Sequence, residues 1–164
     1  MDINTAIQTF THHAFAEIVN KGGDYEWVLN QKRAETYRYL VCCSSVGVNR
    51  GSGFLVGKIN GIEFFRVDEK GNNRYQICVS EVAAIDIPNL WSGQQNPVKY
   101  TSLEELGIDL SRLNFEDVAE IKSTFNSHQI SETECIPLTI QQAKAGLAKK
   151  YGVSEDNIEI LIKG

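Results

Sequence analysis

Between Gly53 and Ile87 the chain reads GFLVGKI, then Asn60-Gly61, then IEFFRV, a polar turn DEKGNN, and RYQICVSEVAAIDI. Two apolar runs separated by Asn-Gly form the strongest short-range signal for a β-hairpin, because both central residues of a type I′ turn need positive φ. The stretch therefore predicts a hairpin turning at Asn60-Gly61, followed by a further strand. A chain with this at its centre must build a small β unit and arrange its other segments around it.

Upstream, Ile3, Ile7, Phe10, Ala14, Ile18 and Val19 recur at three- and four-residue spacing, which predicts a helix over residues 3–20 ended by Gly22-Gly23. His12 and His13 fall inside it. Adjacent helical positions diverge by about 100°, so the pair does not converge on one substrate, and one histidine packed with the other solvated is expected. YEWVLN (25–30) alternates as a short strand, and TYRYLVCCSS (36–45) reads as a strand with a buried middle.

The glycine-punctuated loop VGVNRGSG follows. It leads into a strand rather than a helix and lacks GK[ST], which excludes a P-loop and a Rossmann fingerprint. Arg50 is its one cationic handle. The ending VSEVAAIDI, after a Ser-Glu turn, resembles the way SH3-like and Sm-like barrels close. That resemblance spans roughly residues 36–87 and implies a fold compatible with nucleic-acid or peptide binding.

Beyond Pro88, NLWSGQQNPVKYT reads as an ordered connector in which Trp91 either packs or serves a partner. Ser102 and Glu105 match a capping box closed quickly by Gly107, and Asn114 with Asp117 caps a further helix. In the last segment, CIPLT predicts a strand, Thr139 and Gln142 a capping box, Gly152 a helix end, and IEILIK a strand with Ile158, Ile160 and Ile162 on one face.

The expected architecture is α+β: an N-terminal helix, a small antiparallel SH3/Sm-like barrel or bent sheet, a helical connector, and a C-terminal β-α-β module. The expected division is a main domain over 1–130, with its β unit at about 25–87 and helical part at 100–127, and a module over 131–164 that docks elsewhere or forms a homo-oligomer.

Composition narrows the function class. Hydrophobic residues at 42% and charged residues at 23% are in the globular range. No stretch approaches the roughly 20 apolar residues that span a bilayer, so no membrane partner is expected. MDINTAIQTFTHH has no basic region ahead of an apolar run, so a cytoplasmic protein without a signal peptide is expected. Cys42, Cys43, Cys78 and Cys135 show no CxxC spacing and read as free thiols. No metal and no cofactor are expected.

The net charge of −5 conceals a net +4 over residues 31–75 and −5 over 100–164. That asymmetry fits either a polarised surface or scattered solvated faces.

The motif W-x-G-x-x-NPV-x-Y-x-SLEELGID over residues 91–109 is similar to that of an uncharacterised bacterial family. The ending LTIQQAKAGLAKKYGV…IEILIKG resembles a C-terminal module of many small bacterial proteins. Neither resemblance implies an activity or a catalytic group; the company such proteins keep implies a role in phage–host conflict.

With no catalytic constellation legible, the first expectation is a non-catalytic macromolecule-binding protein that binds or inhibits a protein partner, an inhibitor of a bacterial defence complex being one form. Its expected contact residues are Arg50, Trp91, Gln94 and Gln95. The alternative is a nucleic-acid-binding module through Lys32, Arg33, Arg38, Arg50, Lys58, Arg66 and Arg74, with Tyr37, Tyr39 and Tyr75 for stacking; the acidic net charge counts against it. A third reading is an enzyme pairing Cys42 or Cys43 with His12, His13 or His128, which would need an exposed, activated thiol.

Overall fold

A computed structural model describes residues 3–133 and 139–162, with the backbone alone over 126–133. These residues belong to two compact units, Met1–Asn126 and Ser127–Gly164.

The first unit holds β1 (Thr5–Thr11), α1 (Phe15–Lys21), β2 (Gly23–Trp27), α2 (Gln31–Ala34), β3 (Tyr39–Ser44), β4 (Gly53–Val67), β5 (Asn73–Ile87), β6 (Val98–Ser102), β7 (Glu116–Asp117) and the start of α3 (Val118–Thr133). The strands form one mixed sheet in the order β2-β5-β4-β3-β1-β6, with the two-residue β7 against β5. β1 and β3 pair in parallel and the other pairs are antiparallel. The fold is α+β.

The sheet is open: β2 and β6 end its hydrogen-bonded order, so the SH3/Sm-like barrel expected from 36–87 is not closed. It nevertheless curls. The Asp24 carboxylate on β2 accepts hydrogen bonds from Thr9 and Thr11 on β1, although β5, β4 and β3 stand between those strands in the order. Side chains, not a backbone ladder, join β2 to β1.

Both faces of the middle strands are covered. Ile7, Leu40, Cys42, Leu55 and Ile77 pack with Ile18, Val19 and Ala34 on one side. Ala6, Val41 and Val56 pack with Leu103 and Ile108 on the other. A strand buried on both faces reads as a continuous apolar run, which is why YLVCC lacks alternation.

The helix expected over 3–20 is replaced by a strand and a short helix, β1 and α1. β1 lies between β3 and β6, so Gln8, Thr9 and Thr11 are buried together with Ala6 and Ile7. Its threonines suit a strand, while its apolar positions mimic a helical stripe. Gly22 does end α1, with φ +80 and its N–H bonded to the Ile18 and Val19 carbonyls.

The hairpin expected at Asn60-Gly61 is also corrected. β4 runs straight through those residues as a slipped register, with Gly61 opposite Cys78. The reversal occurs at Asp68–Asn72. There the Asp68 carboxylate accepts the Lys70 and Asn72 N–H groups, and Gly71 supplies φ +81. These bonds, together with the Arg74 guanidinium, hold the Asp68 carboxyl down at about 2. VSEVAAIDI is accordingly the end of β5 rather than a separate closing strand.

Ser102 Oγ accepts the Glu105 N–H at 3.2 Å, but Glu105 takes the Thr101 hydroxyl at 2.6 Å instead of reaching back, so residues 103–107 make turns only. Asp117, not Asn114, caps α3, accepting the Ala119 N–H at 2.8 Å.

In the second unit, α4 (Ile140–Tyr151) begins with the Thr139–Gln142 capping box and ends at left-handed Gly152. The strand expected at IEILIK is not formed over 158–162, where the described residues offer no neighbouring strand to pair with. The strand expected at 135–139 lies almost wholly outside the described residues. No helix among the described residues is long and apolar enough to cross a membrane.

Candidate functional site

The end of β1 presents Phe10 between two hollows. One is lined by Phe10, Arg50, Gly51, Asn89, Trp91, Gly93 and Gln94 and encloses about 300 Å³. The other encloses about 740 Å³ and includes Phe10, His12, His13, Tyr25, Trp27 and Arg66.

In the smaller hollow two loops are locked together. The Trp91 N–H donates to the Gly51 carbonyl at 2.9 Å, and Arg50 Nη1 donates to the Ser45 carbonyl at 2.6 Å. The Trp91 ring lies parallel to Phe10, with centroids 4.9 Å apart and 4° between planes. The Arg50 guanidinium sits 4.9 Å from the centre of the same Phe10 ring. Three of the four expected contact residues, Arg50, Trp91 and Gln94, thus line one hollow; Gln95 is exposed beside it.

His13, which lines the larger hollow, belongs to a buried polar cluster. Asp24 Oδ1 lies 2.8 Å from His13 Nδ1 and accepts the Thr11 hydroxyl at 3.0 Å, and Oδ2 accepts the Thr9 hydroxyl at 2.8 Å. A carboxylate only accepts, so Nδ1 carries the proton in this pair. Asp24 is fully buried and His13 is 6% exposed, whereas His12 is exposed. Glu26 nearby has φ +76, unusual for a residue with a side chain. It is held by Arg66 Nε at 2.7 Å from its carboxylate and Arg74 Nη1 at 3.1 Å from its carbonyl. The Arg66 contact keeps the Glu26 carboxyl below its ordinary value.

Cys42 also touches this cluster, its Sγ 3.8 Å from Asp24 Oδ2. It faces the carboxylate rather than a base, and burial followed by the Asp24 charge pushes the thiol well above 9.0. Burial raises Cys43 as well, and pushes Cys78 up to about 11 with the Glu63 charge adding to it. Thiols in that condition are poor nucleophiles. Cys135 and the His128 side chain lie outside the described residues. Iodoacetamide at neutral pH should therefore leave Cys42 and Cys43 unmodified in the folded protein and label both in urea, as read by peptide mass mapping. Rapid native labelling of Cys42 would revive the thiol-enzyme reading. Among the described residues no three His, Cys, Asp or Glu side chains group to hold a metal ion.

The basic and aromatic residues of the nucleic-acid alternative are spread over several elements. Lys58 pairs with Glu81, Arg66 with Glu26 and Arg74 with Asp68. Arg33 lies over Tyr100, against which Tyr37 also packs; Tyr39 meets Phe115, and Tyr75 meets Phe64. Lys32 and Arg38 are exposed near α2, and Arg50 belongs to the hollow above.

Asp24 was not legible as a functional residue, since after Gly22-Gly23 it reads as loop. The usable signal was the period of two in Thr9, Thr11 and His13, which places polar groups on one side of an extended chain. Compared with protein-family models, curated proteins and solved structures, the chain matches none.

Proposed function

We propose that this chain is a non-catalytic macromolecule-binding protein that engages a protein partner through the Phe10–Trp91–Arg50 hollow. The observation that carries the reading is the parallel Phe10–Trp91 stack with Arg50 against it. Tryptophan and arginine are the residue types that dominate interface energetics. Here they are held in place before any partner arrives, which lowers the ordering cost of association. Arg50 commits Nη1 to a backbone carbonyl and has further N–H groups to offer a carboxylate on the partner. Inhibition of a bacterial defence complex is one form this binding takes in our proposal.

Nucleic acid has less in its favour, because Lys58, Arg66 and Arg74 already face carboxylates and the candidate stacking tyrosines already face other rings. Self-association through the second unit is a separate proposal, motivated by Leu161 and Ile162 at 76% and 75% exposure.

The test is affinity capture from bacterial lysate with the wild type, Trp91→Ala and Arg50→Glu. A partner held by the wild type should fall at least about tenfold with Trp91→Ala, the loss expected of a hot-spot residue. Capture indifferent to both substitutions, or no partner above an untagged control, removes the reading.

A further inference from the structure

We propose that the larger hollow is a binding site for a small aromatic carboxylate. At about 740 Å³ it falls in the size range of small-molecule sites, roughly 300–1,000 Å³.

His13 forms part of its wall. One ring neighbour is Tyr25, stacked at 3.9 Å, and another is His12 at 4.3 Å. Its Nδ1 edge is spent on Asp24 and Thr11. The opposite edge, with Nε2, is what remains for the hollow that His13 lines. Asp24 fixes the ring orientation, as outer-shell carboxylates do for working histidines. Packing alone does not call for a buried carboxylate here, since apolar residues of similar volume often serve stability as well or better than buried charged groups.

The rim carries a second sign. Glu26 keeps a left-handed backbone that costs energy, and two arginines hold it there. Such strain persists where the surroundings over-determine it, characteristically at ligand sites. The arrangement aims Arg66 at the rim with Nε bound to Glu26, and its guanidinium has further N–H groups able to take a planar carboxylate.

The ligand class follows from these walls. Phe10, Tyr25 and Trp27 line the hollow with aromatic surface, and Arg66 offers donors to an anion. Glu17 and Glu26 also line the hollow, so a single negative charge is tolerated better than the double charge of a phosphate.

The probe is benzoate, titrated into the 15N-labelled full-length chain. The protein has 2 tryptophans, so the indole N–H region resolves Trp27, which lines this hollow, from Trp91, which lines the other. Saturable shifts are expected at Trp27 and His13 with Trp91 unmoved. Benzyl alcohol should bind about tenfold more weakly for want of the carboxylate, and Arg66→Gln should weaken benzoate by about the same factor. Glu17→Gln, an exposed substitution with little bearing on folding, should tighten benzoate about two- to threefold. No saturable shift at Trp27 or His13 at tens of millimolar benzoate overturns the proposal. So does equal binding of inorganic phosphate, or indifference to both Arg66→Gln and Glu17→Gln. Because Trp91 reports separately, failure here leaves the partner-binding hollow to stand or fall by its own experiment.

Discussion

Replacing Asp24 with alanine should destabilise the protein by about 3–5 kcal/mol, because three buried donors lose their acceptor at about 1–3 kcal/mol each. The carboxylate is fully buried and takes Thr9, Thr11 and the His13 Nδ1 proton on its two oxygens. Alanine leaves both hydroxyls and the imidazole without that acceptor and a space where the carboxylate stood. A domain of this kind is stable by about 5–15 kcal/mol, so the loss is a large share of the whole. Urea unfolding followed by tryptophan fluorescence measures it. Asp24→Asn keeps one carbonyl acceptor and should cost less, about 1–3 kcal/mol. A cost below about 1 kcal/mol for Asp24→Ala would mean that the clasp between β1 and β2 contributes nothing to closing the curl.

The neighbouring residue gives the second large effect for a different reason. Gly23→Ala should cost about 3 kcal/mol, at the upper end of overpacking penalties. A Cβ on Gly23 would collide with the Ile77 carbonyl oxygen and come within 2.8 Å of the Cys78 Cα. Both are backbone atoms of β5, so no side chain can swing away; β2 would have to leave its pairing with Cys78. Thermal melts of wild type and Gly23→Ala should differ by several degrees in a chain of this size. Gly61→Ala is the control: a Cβ there meets nothing within 4 Å, and the melt should barely move.

The α+β class, the strands around YLVCC, IEFFRV and RYQICV, and the capped helix α4 were legible because each rests on local signals: β-branched and aromatic runs, a capping box, a closing glycine. What escaped was set by distant partners. β1 is a strand because β3 and β6 flank it, and β6 lies about 90 positions further along. Asn60-Gly61 and Asp68–Asn72 both signal a turn, and only the second has a carboxylate accepting its N–H groups. Of the two hollows, Arg50, Trp91 and Gln94 were picked out by residue type, since glycine-rich and tryptophan-bearing loops draw notice. Asp24 and Glu26 were not, because burial and a positive φ leave little trace in sequence.

The pairing of β1 with β6 also bears on how the chain acquires its structure during synthesis. Thr5 lies opposite Ser102, so β1 cannot complete its ladder until β6 has left the ribosome. At about 5–20 residues per second, β1 waits roughly 5–20 seconds with one edge unpaired. Its buried Gln8, Thr9 and Thr11 make the waiting segment more polar than a typical central strand. Those polar residues keep the nascent chain from presenting a wholly apolar edge to its neighbours.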